Sequence, residues 1–462
     1  MRRHDRLFIA AALLGALHLG YTAWTNRVTP TGAVEVLSDE AMIAEDLAAL
    51  RARLQRAPQK APTPGPDVVL IVVNGARADL WDEATPTVNE WAEGAARYKN
   101  ARTAAVEPTP ALMTLLTGLL PSEHGLYRET AGLTRAAPPT IQTLAQRLGD
   151  AGYLTIQLTA SRGERSFGQE RGFDLRFGAG LSEANDRLPY QSAERMVPLM
   201  ESTLAWPRQA PLFLQVSLDD PLLPWAPRSP YVTDVDALLP QVMPLKRDGR
   251  RRRGFEALRL GLLNGDELAE PEERLAWRAA VSAELRYLDA QLGALLRRLP
   301  SLGVGDDDYV ILVGASGQSL GEDGVLGEGR ALGEGDLRVP LIVRGPGVRP
   351  GEVTTPFSTR ALAAWLLNTL GLPPLPSSRV AAAEAATPAA LFAERLGRVP
   401  EDVTGRVSGP SPHQRAVTQG SRKLLVDETG RPVLCVFEAQ GERCHDGDDP
   451  ALRALLDAVS AP

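Results

Sequence analysis

Six consecutive apolar residues, Val68–Val73, limit the fold of this chain more than any other feature of its sequence. A strand of this kind is typical of the centre of a parallel sheet, where helices cover both faces. Gly75 follows closely and allows the chain to turn sharply off the strand. Two later segments, Leu212–Val216 and Asp308–Gly317, contain buried strands of the same kind. The sequence therefore predicts a sheet with a buried, parallel centre.

Helices are expected between these strands. Residues Thr140–Ser161 read as a helix, a glycine-containing turn and a strand, which is the pattern of a βαβ repeat. An amphipathic helix is predicted at Ala279–Leu299, because leucines recur on one side of it. With 462 residues, the chain is long enough to form one large domain with a smaller appendix.

The stretch Glu107–Gly125 predicts a corner between an extended entry and a short helix. Its sequence is EPTPALMTLLTGLLPSEHG, and the apolar, helical part is Ala111–Leu116. Gly118 is suited to end the helix in the left-handed conformation, and a turn at Pro121 leads to His124. Backbone amides at a helix N-terminus have no partner within the helix, so they suit an anionic substrate or a nucleophile that attacks one.

The second half of this stretch resembles the signature of the sulfatases, which belong to the wider alkaline phosphatase superfamily. The matching residues are Leu115, Leu116, Thr117, Gly118, Pro121, His124 and Gly125. Two further segments, Arg171–Asp174 and Arg338–Pro340, also match the family. The resemblance extends from about Asp67 to the end of the chain. It implies an α/β fold with a mixed, mostly parallel central sheet sandwiched by helices, followed by a small C-terminal antiparallel α+β subdomain.

The residues that carry out chemistry in the family are replaced in this chain. The family nucleophile is a cysteine, serine or threonine, whereas Pro108 stands at that position and has no hydroxyl or thiol group. Thr109, one residue further, has a hydroxyl group, which needs a base or a metal to become reactive. Leu222 replaces an active-site histidine of the family. Glu328 and Arg330 replace a histidine and a lysine of a later family segment.

The metal ligands of the family are replaced as well. Its first strand ends in two adjacent aspartates, whose equivalents here are Asn74 and Gly75. The later ligands correspond to Ala315 and Ser316. These four residues carry no charge, whereas a calcium ion takes about 6–8 oxygen ligands. We therefore expect no catalytic residue, no metal and no cofactor, and we interpret these positions as a vestigial pocket.

Other charged residues are predicted close to this pocket. Arg162 and Arg330 are candidate contacts for an anion such as sulfate, phosphate or a sugar acid. The alternative is that both are ordinary loop or surface arginines. Asp219 and Asp220 follow a predicted strand, and a turn or helix-cap role is expected for them rather than metal binding.

Two functions agree with these replacements. The first is a catalytically inactive, membrane-anchored protein that acts in binding or scaffolding, with an anionic glycan or an active sulfatase-family relative as its partner. The second is a divergent hydrolase or transferase of sulfuric or phosphoric esters with a rebuilt active site. The first is preferred, because several chemical positions are changed together while the fold-forming residues remain. The net charge of −7 gives no reason to expect a nucleic acid as partner.

The N-terminus predicts a signal anchor at residues 1–24. Arg2, Arg3 and Arg6 precede an apolar run, Leu7–Trp24, and about 17–25 such residues are needed to cross a bilayer. This charge pattern keeps the N-terminus inside and exports the rest of the chain. We expect a bacterial inner-membrane protein with the bulk of its chain in the periplasm. The alternative is a cleaved signal peptide and a soluble, periplasmic or secreted protein.

Three further regions are expected after the anchor. Residues 25–66 form a helical stalk and a proline-rich linker, residues 67–405 the α/β domain, and residues 406–462 the C-terminal subdomain. The stalk helix, predicted at 38–57, suits either a coiled coil between chains or packing onto the main domain. Cys435 and Cys444 either form a disulfide bond or remain two thiols, and their spacing is not that of a zinc site.

Overall fold

The computed structural model describes residues 39–130, 133–161, 167–178, 191–223, 225, 227–232, 261–262, 268–376, 390–396, 413–438 and 441–460. In chain order, the strands are β1 (Val68–Asn74), β2 (Ala96–Tyr98), β3 (Ala101–Arg102), β4 (Tyr127–Thr130), β5 (Leu133–Arg135), β6 (Leu154–Thr159), β7 (Leu175–Gly178), β8 (Leu212–Leu218), β9 (Tyr309–Ser316), β10 (Ser319–Leu320), β11 (Leu326–Gly327), β12 (Leu341–Arg344), β13 (Gly351–Val353), β14 (Phe357–Ser358), β15 (Ala390–Arg395), β16 (Gln414–Gln419), β17 (Arg422–Asp427), β18 (Pro432–Glu438) and β19 (Gly441–Asp446).

The α-helices cover the space between these strands. In chain order they are α1 (Asp39–Leu54), α2 (Ala78–Ala84), α3 (Pro86–Trp91), α4 (Pro108–Thr117), α5 (Pro121–His124), α6 (Leu144–Asp150), α7 (Ala193–Leu204), α8 (Pro271–Arg298), α9 (Glu334–Leu337), α10 (Leu362–Thr369) and α11 (Pro450–Ser460). The predicted helix at Ala279–Leu299 is therefore the second part of a longer helix, α8.

The central sheet has eight strands in the order β13-β2-β12-β9-β1-β8-β6-β7. The five strands from β9 to β7 are parallel to one another. Strand β12 runs antiparallel to both of its neighbours, so the sheet is mixed but mostly parallel. Strand β1 lies between β8 and β9, where Val68 pairs with Phe213 on one side and with Tyr309 on the other. The expected fold class is confirmed.

The residues of β1 are divided between two hydrophobic cores. Val69 and Ile71 face the core that the sheet forms with α1, α2, α3, α7 and α8. Val68 and Leu70 face the core formed with α4, α6 and α10. This division follows because successive side chains of a strand point to opposite faces. Helices therefore cover both faces of the sheet, as the continuous apolar run of β1 predicts.

The C-terminal part of the chain forms a second sheet. Strands β15 to β19 pair in sequence order and are all antiparallel. Helix α11 packs on this sheet through Leu452 and Leu456, which lie in one hydrophobic cluster with Val417 and Leu424. Strand β15 precedes residue 406, where the sequence analysis begins the subdomain, so the sheet also includes part of the alanine-rich segment.

One side-chain link joins this second sheet to α5, and a second link joins two of its own strands. The carboxylate of Glu394, on β15, accepts hydrogen bonds from the backbone N–H and the hydroxyl group of Ser122, each 2.9 Å long. These bonds join β15 to α5, in the stretch that resembles the family signature. Within the sheet, Cys435 of β18 and Cys444 of β19 form a disulfide bond, which decides between the two states that the sequence leaves open.

Helix α1 packs on the α/β domain. Leu50 and Leu54 are buried in the core that also contains α7 and α8. The Nη2 atom of Arg195, on α7, donates a hydrogen bond to Asp46 Oδ2 at 2.6 Å, and both side chains are buried. Of the two arrangements expected for this helix, packing onto the main domain is therefore the one observed. The helical part of the predicted stalk belongs to the domain.

The signal anchor predicted at residues 1–24 lies outside the described residues. Within the described ranges, no helix is both long and apolar enough to cross a membrane.

Candidate functional site

The carboxyl ends of β1, β8 and β9 bring several predicted pocket residues together. Asn74 is the last residue of β1 and pairs with Ser316, the last residue of β9. The Nδ2 group of Asn74 donates a hydrogen bond to Asp219 Oδ1, just after β8, at 2.6 Å. Two of the four positions expected to hold a metal in the family are thus neighbours, and an aspartate from a third strand lies beside them.

Gln318, which the sequence analysis does not single out, fills the space next to Gly75. Its side-chain Nε2 group donates hydrogen bonds to the backbone oxygens of Gly75, at 2.9 Å, and of Pro221, at 2.6 Å. Gly75 has a φ of 75°, and a Cβ atom on it would lie 3.0 Å from both Gln318 Nε2 and a methyl group of Leu222. A side chain at position 75 is therefore disfavoured both by backbone conformation and by lack of space.

The residues at this edge do not fit a divalent cation. Asn74 Oδ1 and Ser316 Oγ are buried and have no hydrogen-bond partner among the described residues. Ala315 contributes only a methyl group, which lies in the same hydrophobic core as Leu112 of α4. Asp219 is the nearby carboxylate, and it already accepts the amide of Asn74. Two neutral oxygens and one hydrogen-bonded carboxylate fall well short of the charged oxygen cage that calcium or magnesium requires.

Asp220 points away from this edge. It is fully buried, its Oδ1 atom accepts a hydrogen bond from the backbone N–H of Ala193 at 3.1 Å, and Arg228 lies 3.7 Å from the same oxygen. Burial raises the pKa of Asp220 to about 6, while the positive charge of Arg228 opposes this rise. Because Ala193 is the first residue of α7, Asp220 acts as a cap of that helix, as the sequence analysis expects.

The only group of potential metal-ligating residues with suitable spacing in the described ranges lies elsewhere. It consists of Cys435, Glu442 and Cys444, in the C-terminal sheet. The two cysteines form a disulfide bond, so their sulfur atoms are not available as thiolate ligands.

Helix α4 begins at Pro108, three residues before the predicted start at Ala111, and ends at Gly118 with a φ of 72°, as predicted. Pro108 and Pro110 have no backbone N–H, and the N–H of Ala111 donates to the oxygen of Glu107. Thr109 therefore supplies the one amide available for a ligand among the first four helical residues. Prolines at two of the first helical positions thus reduce the number of amides that this helix N-terminus offers to an anion.

Arg330 lies near the start of α4. The side chain of Glu107 contacts the neighbouring Gly329, where a Cβ atom would be 2.5 Å from Glu107 Cγ, so the segment from Glu328 to Arg330 packs against this end of the helix. Arg395 of β15 lies within electrostatic range of Arg330. Burial and the positive charge of Arg330 together lower the pKa of Arg395 to about 10, while Glu107 opposes the shift.

The structure thus forms two groups from the predicted pocket residues. Asn74, Gly75, Leu222 and Ser316 meet at the strand ends, whereas Glu328 and Arg330 lie beside the start of α4, which carries Pro108 and Thr109. Arg162 lies outside the described residues. Two further residues belong to these groups: Gln318 lies with the residues at the strand ends, and Arg395 with those beside the start of α4. No sequence pattern marks either residue, although Gln318 follows Ser316 by only two residues.

His124 is a structural residue. Its ring is fully buried, Nδ1 accepts a hydrogen bond from the N–H of Leu126 at 3.0 Å, and Nε2 lies 3.2 Å from the hydroxyl group of Thr114. Because Nδ1 is an acceptor, the proton of the neutral ring is on Nε2. Burial lowers the pKa of His124 to about 3, so the ring stays neutral in the folded protein at physiological pH.

Comparisons with known proteins agree with this architecture. The family model of the sulfatases matches residues 66–372. Choline-sulfatase from Rhizobium meliloti (strain 1021) is 24% identical over 358 residues, which cover 66% of this chain and 68% of that protein.

Solved structures show the same fold at low sequence identity. Phosphonate monoester hydrolase SpPMH from Silicibacter pomeroyi has a TM-score of 0.63 and 19% identity, with 86% of this chain and 94% of that chain covered. BT4656, solved in complex with its substrate D-glucosamine-2-N,6-O-disulfate, has a TM-score of 0.59 and 14% identity, with 82% and 92% covered. The chain therefore shares the fold of these two proteins.

Because the family model covers well over half of the chain, the protein belongs to the sulfatase family.

The buried state of His124 predicts a pH dependence of stability. Its pKa in the fold, about 3, is below the value of 6.5 expected in the unfolded chain. The unfolded chain therefore binds the proton more strongly, so this contribution to stability is complete above pH 6.5 and is lost as the pH falls towards 3. When the pH falls from 7.5 to 5, protonation of His124 in the unfolded chain should lower the free energy of unfolding by about 2 kcal/mol.

Denaturant unfolding of the wild type and of His124→Asn at the two pH values tests this expectation. The asparagine variant should be less stable at pH 7.5, but it should lose about 2 kcal/mol less on acidification. His445→Asn, at an exposed position of β19, should keep the wild-type pH dependence. An unchanged pH dependence in the His124 variant would contradict the assignment.

Proposed function

We propose that this protein is a non-hydrolytic member of the sulfatase family that acts by binding. The observation that carries the proposal is the Pro-Thr-Pro start of α4, because Pro108 at the nucleophile position offers neither an attacking atom nor an amide. The edge of the sheet adds to this, since its residues do not fit the divalent cation that would stabilise charge on a transferring group.

Arg330 and Arg395 support an anionic ligand. The two guanidinium groups lie close enough for one charge to lower the pKa of the other, and an anion placed beside them would relieve this repulsion. A guanidinium group can form paired hydrogen bonds to sulfate, phosphate or carboxylate. The ligand class that we propose is an anionic glycan. The sulfated sugar bound by BT4656 supports this choice only by analogy. An active relative of the family is the alternative partner.

The protein is proposed to be anchored in the bacterial inner membrane, with the α/β domain in the periplasm. The arginines before the apolar run Leu7–Trp24 support this orientation. The Cys435–Cys444 disulfide bond supports an oxidising compartment.

Activity measurements test the absence of hydrolysis. The purified full chain should show no turnover of p-nitrophenyl sulfate or p-nitrophenyl phosphate above background, with or without added calcium, magnesium or zinc. Pro108→Ser should recover no activity, because the cation ligands are still missing. Turnover that Thr109→Ala abolishes would favour an enzyme with a rebuilt site. Turnover lost on chelation would mean that other carboxylates, such as Asp219 or Glu328, hold a metal.

Ligand binding is tested by calorimetry with a sulfated glucosamine and its unsulfated counterpart. The sulfated sugar alone should bind, and Arg330→Ala should weaken binding roughly tenfold or more, since a hydrogen bond to a charged group is lost. Arg330→Lys, which keeps the charge, should retain part of the affinity. Arg349→Ala, at an exposed position, is the matched control and should bind as the wild type does. Equal affinity for both sugars, or no effect of Arg330→Ala, would contradict an anion site at Arg330.

Membrane anchoring is tested by fractionation and N-terminal sequencing of the expressed protein. The chain should sediment with the inner membrane and be released by detergent, with its N-terminal segment intact. A mature N-terminus between Trp24 and Ala33 would instead establish a cleaved signal peptide and a soluble periplasmic protein.

A further inference from the structure

Three chain segments that leave neighbouring parallel strands are joined by one side chain. Gly75 follows β1, Pro221 follows β8, and Gln318 follows β9. The two N–H groups of the Gln318 amide donate to the backbone oxygens of Gly75 and Pro221, so the amide connects all three segments. The ends of β1 and β9 are those at which the family resemblance places the metal ligands, and the segment after β8 carries Leu222 at the position of an active-site histidine.

The remaining polar groups of Gln318 are also hydrogen-bonded. Its side-chain oxygen accepts a hydrogen bond from Trp225 Nε1 at 3.3 Å. Its backbone oxygen accepts one from Arg77 Nη1 at 2.9 Å, and its backbone N–H donates to the oxygen of Gly335 at 3.0 Å. Gln318 has no exposed surface. A buried polar residue whose groups are all paired fixes one arrangement of its neighbours, because any other arrangement would leave buried groups unpaired.

A second amide pairs with the carboxylate at this edge. Asn74 Nδ2 donates a hydrogen bond to Asp219 Oδ1 at 2.6 Å, and such a bond lowers the cost of burying the carboxylate. Asn74 thus links the end of β1 to that of β8, and Gln318 links the end of β9 to the ends of β1 and β8.

We propose that Asn74 and Gln318 form an amide clamp, which holds together the strand ends at which the family resemblance places a divalent cation. The clamp also closes the cation position, because an aspartate at position 75 would lie against Gln318 and Leu222. The edge is then held together without metal. This inference concerns the stability of the fold and shares with the proposed function the expectation that no divalent cation binds at this edge. The Gln318 and Asn74 variants test the hydrogen bonds separately from turnover and ligand affinity.

Thermal unfolding of the full wild-type chain with calcium, magnesium or EDTA is the first measurement. The Tm should be the same in all three conditions. A saturable rise of the Tm with either cation, or a fall with EDTA, would overturn the proposal, because ligand binding to the folded state raises the Tm.

Variants of Gln318 test the role of its amide. Gln318→Ala should lower the Tm by roughly 5–10 °C, since two buried backbone oxygens lose their partner. Gln318→Met keeps the side-chain volume but removes the hydrogen bonds, and it should lower the Tm nearly as much. Gln209→Ala, at an exposed position, is the control and should melt as the wild type does. If Gln318→Met melts at the wild-type temperature, the hydrogen bonds do not hold the edge and the proposal fails.

Asn74→Asp tests the other half of the clamp. The new carboxylate replaces a hydrogen-bond donor and lies against Asp219, so the Tm should fall at pH 8 and fall less at pH 5, where the two carboxylates share a proton. Asn368→Asp, on the exposed surface of α10, should have little effect at either pH. A wild-type Tm for Asn74→Asp at pH 8 would show that Asn74 does not compensate the charge of Asp219.

Discussion

The parallel pairing of β1 with β8 on one side and with β9 on the other is the interaction on which the rest of the structure depends. Because the three strands run in the same direction, their carboxyl ends reach one edge, and the residues that follow share a small, buried space. In this chain the side-chain amides of Asn74 and Gln318 form hydrogen bonds across that space, although Asn74 Oδ1 and Ser316 Oγ have no hydrogen-bond partner among the described residues.

Much of the fold was predictable because it depends on local sequence. A strand that is buried on both faces needs an unbroken apolar run, and Val68–Val73 is such a run. The end of α4 was equally predictable, since Gly118 adopts a positive φ that few other residues tolerate. Its start was not, because a proline at the first helical position looks like part of an extended entry while fitting a helix equally well.

The contacts between the residues of the site could not be predicted from the sequence. The absence of a nucleophile at Pro108 can be read from single positions, whereas the role of Gln318 depends on contacts with a residue 243 positions away. A glutamine has no local pattern that distinguishes a buried bridge from a surface residue. Arg395 lies in an alanine-rich segment, and it meets Arg330 only because that segment adds β15 to the second sheet. Long-range pairing of this kind is not visible in a single sequence.

The bonds between Glu394 and Ser122 have a consequence for the modularity of the chain. They connect the first strand of the C-terminal sheet to the signature stretch, which lies 272 residues earlier. The same strand carries Arg395, so part of the wall beside α4 is built by the C-terminal sheet. The C-terminal sheet therefore depends on contacts with the α/β domain and is not a structurally independent unit. An exchange of the C-terminal part between relatives would also exchange the residues of β15 that hydrogen-bond to the signature stretch, so the two parts have to match at this contact.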